Sequence, residues 1–431
     1  MNTPVPPIVM VCTVGGTPEP LRNSINFHKP SHVIYIASPE SRTTIRSGIE
    51  DGLDWRIGDT HVVTLNDFQN IVQCVMDMRQ GIAEALRAMS LPENTPLIAD
   101  ITGGTKIMSA ALALVMMEFK SRFSYVGGGV RTKEGLGVVQ SGTEFVVQDA
   151  NPWDVLALRE ARALARSFNH AQFTDALTTA HGLAEHMDDQ RRQKFYSAIA
   201  DMVEGYALWD SFDHKAALGK LRQAENRLTP YTYNAARLSK LTDTVKKDLE
   251  RLEALQQDAQ FLRSKDAPTS DEHGKVYLLD LLANAQRRAE AGHYDDAVAR
   301  LYSAIEKCAK IALRVHHGID NSQIRLEQIP KTIREEWRSQ LDADGVARVG
   351  LEKSFLLLDA LGDPLGLTFR KRQTALQADL QARNVSLLAH GYVPIGKDKY
   401  DKLLAAALDF LQADMKTLPT FPHIDWKALL P

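Results

Sequence analysis

The chain has 431 residues and a mass of 47.9 kDa, a length that predicts about three domains rather than one. Its 51 Lys and Arg nearly balance its 54 Asp and Glu, and the formal net charge of -3 excludes a chain-wide basic surface for nucleic acid. Any nucleic-acid site is therefore expected to be local.

The apolar stretches are too short for a membrane protein. The longest, residues 110–117, falls far below the ~20 residues that a spanning helix needs. The apolar run at residues 4–11 has no basic residue before it, unlike a signal peptide, so we expect a cytoplasmic protein. Cys12, Cys74 and Cys308 are odd in number and lack C-x-x-C spacing, which predicts neither a disulfide framework nor a structural zinc site.

Residues 1–150 alternate between β-rich and helical patterns. Runs rich in β-branched residues predict strands at 8–14, 33–37, 62–65, 97–101 and 123–126. Residues 67–89 carry the apolar stripe of an amphipathic helix. This alternation predicts an α/β, Rossmann-like domain with a mostly parallel sheet, to which residues 135–147 add a terminal hairpin at one edge.

The remainder of the chain reads as helical. Residues 151–262 are rich in Ala, Leu, Arg and Gln and poor in β-branched runs, which predicts an all-α connector. The polar stretch 263–275 predicts a linker, and helical patterns resume after it, most clearly at 294–315 and 374–389. We therefore predict three domains, at 1–150, 151–272 and 273–431.

Two loops combine glycines with hydroxyl side chains where a predicted strand gives way to a helix. Loop A (13–18) contains Thr13, Gly15, Gly16 and Thr17 and ends at Pro18, while loop B (101–106) contains Thr102, Gly103, Gly104, Thr105 and Lys106. We expect Pro18 to occupy the first helical position. Glycines let backbone amides approach a ligand and a helix N-terminus favours an anion, so the loops indicate a phosphate-bearing ligand. Loops after neighbouring parallel strands meet at one edge, so Ser38, after the second strand, is expected to join them in one crevice.

For either loop taken alone, a purely structural role is as well supported as ligand binding, because glycines make tight turns and threonines cap helices. Neither loop satisfies the stricter nucleotide patterns. Loop A lacks G-x-G-x-x-G, and loop B lacks the spacing of G-x-x-x-x-G-K-[ST]. We therefore predict neither NAD nor ATP as a cofactor.

A third cluster, Arg383, Asn384 and His390, lies near the end of the predicted C-terminal helix. Seven residues make nearly two turns, so Arg383 and His390 share a face but lie about 10 Å apart along the axis. Two such helices packed antiparallel about a two-fold axis would bring each arginine near the histidine of the other copy. Histidine moves protons near neutral pH and arginine neutralises a phosphorane-like charge, which suits metal-free cleavage of RNA through its 2′-OH, with Asn384 orienting substrate or base. The alternative is a helix-capping histidine and a solvated arginine.

Two further groups carry weaker signals. His316 and His317 end a helix just before a glycine, where basic side chains cap carbonyls, and no carboxylate or cysteine stands at ligand spacing, so we predict no metal site. The basic run 370–372 suits an RNA backbone, although most short basic runs are solvated faces.

The order of these parts resembles the CARF–HEPN ribonucleases, ancillary effectors of type III CRISPR systems. Residues 100–108, Asp-Ile-Thr-Gly-Gly-Thr-Lys-Ile-Met, resemble the glycine-rich motif of CARF sensor domains, and residues 13–17 stand in the place of their first ligand loop. Arg383-Asn384-x5-His390 resembles the R-x4-6-H motif of HEPN nucleases. The resemblance extends over the whole chain and includes the helical connector.

The resemblance implies a CARF sensor at 1–150, a connector at 151–272 and a HEPN nuclease at 273–431, assembled as a homodimer. Loops A and B with Ser38 would bind a cyclic oligoadenylate across the two-fold axis and thereby activate a site in which Arg383 and His390 are catalytic and Asn384 supports them. We predict a metal-independent single-stranded RNA endonuclease of antiviral defence that leaves 2′,3′-cyclic phosphate ends, without a cofactor and without DNA or membrane partners. The resemblance also allows slow cleavage of the activator, with Thr13, Thr105 or Lys106 taking part.

Two alternatives remain open at the level of sequence. The first is a nucleotide-sensing scaffold whose C-terminal domain binds a partner without cutting RNA. The second is a Rossmann-like metabolic enzyme that uses a mononucleotide, with the helices serving only for assembly. Ligand preference and the effect of changing His390 distinguish these from the ribonuclease.

Overall fold

The computed structural model describes residues 7–92, 95–128, 144–150, 152–264, 273–373 and 392–430. The chain divides into two units. Unit 1 comprises Met1–Glu160 with Glu185–Gln193, and unit 2 comprises Ala161–Ala184 with Lys194–Pro431. Among the described residues, no helix combines the length and the apolar character needed to cross a membrane.

Unit 1 is built on a six-stranded, mostly parallel sheet. Its strands are β1 (Val9–Thr13), β2 (His32–Ala37), β3 (Asp59–Thr64), β4 (Leu97–Asp100), β5 (Ser121–Gly128) and β6 (Glu144–Ala150), in the spatial order β3-β2-β1-β4-β5-β6. The first four pairings are parallel, whereas β6 runs antiparallel to β5 at the edge. The predicted α/β class is confirmed. Of the hairpin predicted at 135–147, the part before residue 144 lies outside the described residues.

Four α-helices join or follow the strands: α1 (Glu19–His28), the single turn α2 (Pro39–Arg42), α3 (Ile71–Ala88) and α4 (Lys106–Met116). The predicted helix at 67–89 begins four residues later than expected, because the Asn70 side chain accepts hydrogen bonds from the amides of Val72 and Gln73 and caps α3 there. The sequence predicts Pro18 at the first helical position, but it lies one residue before that, at the N-cap position of α1, where it makes no side-chain capping hydrogen bond.

Side chains of β1 alternate between two separate apolar layers. Val9 and Val11 pack with the buried faces of α3 and α4, while Met10, Cys12 and Val14 pack with α1. All five are almost completely buried. This period of two explains why β1 reads as a continuous apolar run, since a central parallel strand is covered on both faces.

Beyond β6, the part of the chain that the structure describes is mostly helical. The α-helices are α5 (Pro152–Asn169), α6 (Phe173–His186), α7 (Gln190–Asp210), α8 (His214–Leu228), α9 (Ala236–Arg263), α10 (Lys275–Glu290), α11 (Tyr294–His317), α12 (Arg334–Trp337), α13 (Leu351–Ala360), α14 (364–373) and α15 (Lys397–Phe410). Two short strands, β7 (Ile324–Arg325) and β8 (Val346–Ala347), pair antiparallel. The helix predicted at 294–315 is confirmed and runs two residues further, to a left-handed glycine, Gly318. The helix predicted at 374–389 lies outside the described residues.

Buried aspartates connect the helices of unit 2. The indole Nε1 of Trp209 donates to Asp280 over 2.9 Å, and a ring nitrogen of His214 lies 3.2 Å from the other carboxylate oxygen. These contacts attach α7 and α8 to α10. In the same way the Tyr206 hydroxyl on α7 donates to Asp248 on α9 over 2.8 Å. Each carboxylate obtains the partners that a buried polar group requires.

The C-terminal segment packs against the same helices. The amide nitrogen of Asn169 donates to the backbone oxygen of Ile424 over 3.0 Å, and the Ile424 amide donates back to the Asn169 side-chain oxygen over 2.8 Å. The Phe421 ring lies 4.9 Å from that of Tyr206 and 5.1 Å from that of Trp209, with the Arg287 guanidinium over its face at 3.9 Å. Residues beyond α15 therefore contribute to the core of unit 2.

We expect Tyr206→Phe to lower the free energy of unfolding by about 1–3 kcal/mol near neutral pH, because the Asp248 carboxylate would lose a buried donor. Burial raises the pKa of Asp248 from 3.8 to about 6, while the Tyr206 and Arg251 hydrogen bonds oppose this rise. Since the folded-state pKa lies above the unfolded one, this group's contribution to stability is greatest below about pH 4 and falls as the pH rises to about 6. Tyr206→Phe removes a donor that favours the charged form of Asp248. The loss in free energy of unfolding caused by Tyr206→Phe should therefore become smaller as the pH falls.

Urea unfolding at about pH 5 and about pH 7.5 measures this difference. Tyr233→Phe is the matched control, since Tyr233 is 86% exposed. An equal loss in the two variants, or a Tyr206→Phe loss that grows as the pH falls, would contradict the assignment.

Candidate functional site

Loops A and B leave two neighbouring strands at the point where the order of the sheet reverses. β1 pairs with β2 on one side and with β4 on the other, and the helices that follow β1 and β4 belong to opposite apolar layers. Open α/β sheets bind ligands outside the carboxyl ends of the strands at such a switch point. The structure thus brings the two predicted loops together at the edge where a ligand is expected.

The two loops are in direct contact. The Thr13 hydroxyl donates to the Gly103 carbonyl over 2.6 Å. A Cβ atom added to Gly103 would lie 2.3 Å from the Thr13 carbonyl, and one added to Gly15 would lie 2.8 Å from the Gly104 amide. Gly104 has a φ of +74°, in the left-handed region that favours glycine. Packing between the loops therefore accounts for these three glycines, with or without a ligand.

The predicted ligand residues differ in exposure. Thr13 and Ser38 are buried, and Gly15, Thr102 and Gly103 are half-buried. The exposed members are Gly16, Thr17, Gly104, Thr105 and Lys106. These five are the most accessible of the predicted ligand residues.

Several hydroxyls already hold the local backbone. Ser38 caps α2 by accepting the Ser41 amide over 3.2 Å, and Thr105 caps α4 by accepting the Met108 amide over 3.1 Å. Thr102 accepts the Val126 amide over 2.8 Å and so fixes loop B to β5. Ser38 and Thr105 therefore act as helix caps, while Thr102 links loop B to a strand. Loop geometry leaves Lys106 and the amides at the start of α4 as the groups best placed to receive an anion.

A buried polar network lies beneath loop B. Asp100, at the end of β4, is fully buried; one carboxylate oxygen accepts the Thr102 amide over 2.9 Å and the other accepts the Ser24 hydroxyl over 2.5 Å. Ser124 lies 3.3 Å from Ser24 and 2.9 Å from the His28 ring nitrogen. Burial raises the pKa of Asp100, while these hydrogen bonds oppose the rise. The network couples loop B to α1 and β5.

Sequence reasoning missed two residues at this edge. Asp100 stands within the motif at 100–108, but only its burial identifies it as the group that positions Thr102. Arg42, at the end of α2, is exposed and lies 3.3 Å from the Thr64 hydroxyl at the end of β3, which adds a second cation at the carboxyl edge. The position of Arg42 shortly after the second predicted strand, close to Ser38, is the feature of the sequence that could have identified it.

The second candidate site is not among the described residues, because Arg383, Asn384 and His390 fall within 374–391. The basic run preceding it is described. Arg370 lies 3.2 Å from Asp359, and Arg372 lies 3.1 Å from Asp409. Two of its three cations are thus paired with carboxylates on the surface, which favours the structural interpretation over an RNA-binding one.

Two family models match the helical part of the chain. One, described as the Csm6 6H domain, matches residues 156–255, and the other, described as the Csm6 HEPN domain, matches residues 267–414. Together they cover more than half of the chain, and the second range includes Arg383, Asn384 and His390.

Two Csm6 proteins are similar along most of the chain, and a third protein is similar along less than half of it. The CRISPR system endoribonuclease Csm6 of Thermus thermophilus is 24% identical over 435 residues, covering 96% of this chain and 88% of that protein. Enterococcus italicus Csm6 bound to cyclic hexa-2′-fluoro-hexa-dAMP is similar at 13% identity with a TM-score of 0.46, covering 94% of this chain and 93% of that one. Can2 of Sulfobacillus thermosulfidooxidans in complex with cyclic tetra-adenylate is similar at 12% identity with a TM-score of 0.23, covering 45% of this chain and 57% of that one.

We expect Gly103→Ala to destabilise unit 1 by about 1–3 kcal/mol, because its Cβ would collide with the Thr13 carbonyl and force the loops apart. Gly16→Ala is the matched control in the other loop, since a Cβ there meets nothing within 4 Å. Thermal unfolding and hydrogen exchange of the loop B amides measure the effect. Equal stability of the two variants would show that the loops are not in close contact in solution.

Proposed function

We propose that this chain, which belongs to the Csm6 family of endoribonucleases, is switched on when its N-terminal domain binds a cyclic oligoadenylate. The observation that carries the proposal is the match of the Csm6 HEPN domain to residues 267–414, which contain the R-x6-H motif at Arg383 and His390. An α/β domain with two glycine-containing loops at the carboxyl edge of its sheet precedes it in the chain. Such an order suits a sensor that controls a nuclease of type III CRISPR defence in the cytoplasm.

The activator would bind at the carboxyl edge of the sheet. A ring of adenylates carries one negative charge per phosphate, and the exposed ends of loops A and B offer Gly16, Thr17, Gly104 and Thr105 with the Lys106 ammonium group. The amides at the start of α4 add a partial positive charge there. Thr13 and Ser38 would shape the loops rather than touch the ring, since both are buried and hydrogen-bonded within the protein.

Cleavage would proceed without a metal ion. His390 would take the proton from the ribose 2′-OH, and the 2′-oxygen would attack the adjacent phosphorus while the bond to the 5′-oxygen breaks and that leaving oxygen takes a proton from water. Arg383 would stabilise the charge of the phosphorane-like transition state, and Asn384 would orient the histidine or the substrate. The products would be a 2′,3′-cyclic phosphate end and a 5′-hydroxyl end on single-stranded RNA.

The active form would be a homodimer. If residues 383–390 form the helix that the sequence predicts, Arg383 and His390 would lie about 10 Å apart along its axis, and a second copy would be needed to bring an arginine near a histidine. Exposed apolar side chains follow the motif directly, Tyr392 being 93% and Val393 60% exposed. In unit 1 the exposed side chains of Val72, Met76 and Leu114 offer further apolar area for pairing.

Slow cleavage of the activator would be a second activity of the N-terminal domain. Of the three residues predicted for it, Thr13 is buried with its hydroxyl engaged by Gly103, which leaves Thr105 and Lys106.

A sensor or scaffold without nuclease activity is the competing function. Loss of RNA cleavage on changing His390 distinguishes the ribonuclease from such a scaffold.

We expect His390→Ala and Arg383→Ala each to lower ring-dependent RNA cleavage at least about 100-fold, because the first removes a positioned proton-transfer group and the second a group that stabilises transition-state charge. The assay follows a fluorescent single-stranded RNA in EDTA with cyclic tetra- or hexa-adenylate. His181→Ala, an exposed histidine on α6, is the control and should cleave like the unchanged protein. Tight binding of a ring without any RNA cleavage would replace the ribonuclease with the scaffold.

Mixing the two inactive variants tests the composite site. If each site takes its arginine from one copy and its histidine from the other, half of the randomly formed dimers regain one intact site, and about a quarter of the activity returns. A mixture that stays inactive, although the copies are shown to exchange, would place both residues of a site on one chain.

Lys106→Ala is expected to weaken ring binding by about tenfold or more, the cost of losing a charged hydrogen bond to phosphate. RNA cleavage at a saturating ring concentration should remain unchanged, because Lys106 belongs to the sensor. Lys120→Ala is the matched control: Lys120 is also exposed but lies next to the amino ends of β4 and β5. Equal ring affinity of the two variants would remove loop B from the binding site.

A further inference from the structure

A cluster of metal-ligand side chains lies at the end of α11, separate in sequence from the proposed catalytic motif. The Nδ1 atom of His316 lies 2.7 Å from Oδ2 of Asp363, and the Nε2 atom of His317 lies 3.1 Å from the same oxygen. The three ligand atoms all lie within 4.8 Å of one another. Sequence spacing does not reveal this cluster, because Asp363 follows the histidines by more than forty residues.

The convergence of the two rings is produced by the fold. Adjacent residues of an α-helix point about 100° apart, yet both imidazoles reach one oxygen here. α11 ends at Gly318, whose left-handed conformation turns the chain away. Asp363 enters from the loop between α13 and α14, where its side chain is only 3% exposed.

Asp363 is held in place by a second interaction. Its Oδ1 atom accepts the Leu365 amide over 2.8 Å at the start of α14. This leaves Oδ2 directed at the histidines. A carboxylate fixed by its other oxygen presents a preformed ligand, in the way that hydrogen-bonded neighbours orient the ligands of metal sites.

The distances suit a tetrahedral ion of the zinc class. Bonds of 2.0–2.1 Å from Zn²⁺ to nitrogen or oxygen place two ligand atoms about 3.3 Å apart. The nitrogen–oxygen separations of 2.7 and 3.1 Å need to open by about 0.6 and 0.2 Å, and the two ring nitrogens, within 4.8 Å of each other, need to approach the same spacing. A cavity of about 310 Å³ borders His316 and Asp363, and His316 is 43% exposed, so an ion and a fourth, water ligand have both access and room.

We propose that His316, His317 and Asp363 form a site for a divalent transition-metal ion, with Zn²⁺ as its probe. The ion would bind the two ring nitrogens and one carboxylate oxygen, and it would fasten the end of α11 to the start of α14. Its role is structural. The proposal goes beyond the ribonuclease function and does not depend on it.

Equilibrium dialysis of the full-length chain, made without a polyhistidine tag and stripped with EDTA, tests the site. We expect one Zn²⁺ per chain, retained in excess Mg²⁺ because Mg²⁺ prefers octahedral oxygen ligands. The double variant His316→Ala/His317→Ala should lose at least about 100-fold in Zn²⁺ affinity, since even second-sphere changes cost 10–100-fold. His181→Ala should bind like the unchanged chain.

A second variant guards against loss of folding. Asp363→Asn keeps an oxygen that can cap α14 but removes the carboxylate. Without Zn²⁺ it should therefore have the same unfolding midpoint as the unchanged chain, and it should bind Zn²⁺ weakly. Zn²⁺ should raise the unfolding midpoint of the unchanged chain and of His181→Ala, and leave that of the double variant unmoved. Failure of the unchanged chain to retain Zn²⁺, or equal retention by the double variant, would overturn the site. No RNA or ring is present, so either result is independent of the ribonuclease proposal.

Discussion

The close approach of loops A and B is the constraint on which the N-terminal unit depends. A single hydrogen bond, from the Thr13 hydroxyl to the Gly103 carbonyl, joins the ends of two strands that neighbour each other at the reversal of the sheet. The approach is close enough that no side chain fits at Gly103 or Gly15. Asp100 accepts the Thr102 amide from beneath, so hydrogen bonds connect loop B both to loop A and to the end of β4.

Buried aspartates perform the same task at several places in the chain. Asp100 receives donors from loop B and α1, Asp248 from α7, and Asp280 from α7 and α8. In each case one carboxylate satisfies groups from other elements, so its burial is compensated. Removing a donor leaves a charge in an apolar interior, which is costlier than losing an equivalent contact on the surface.

Apolar periodicity predicted most of the fold, because it is a local property. The five strands of the parallel sheet and helix α11 were predicted close to their observed bounds. The start of α3 was misplaced by four residues since the cap at Asn70 outweighs the apolar pattern before it. Glycine and hydroxyl residues predicted two loops that the structure places in contact, whereas the burial of Thr13 and Ser38 and the exposure of Lys106 could be read only from the structure. Asp363 could not be found, because its relation to His316 and His317 exists only in three dimensions.

The glycines of loops A and B serve the protein's own packing, and this changes what they signify in a comparison of relatives. A homologue that no longer bound a ligand would still need glycine at the positions of Gly15 and Gly103, because a Cβ atom there would collide with the other loop. The glycine pattern alone would then mark an intact scaffold, not a working receptor. Exposed side chains such as Thr17 and Lys106 can change without disturbing this packing. Their identity in a homologue would therefore indicate whether its N-terminal domain still binds a ligand.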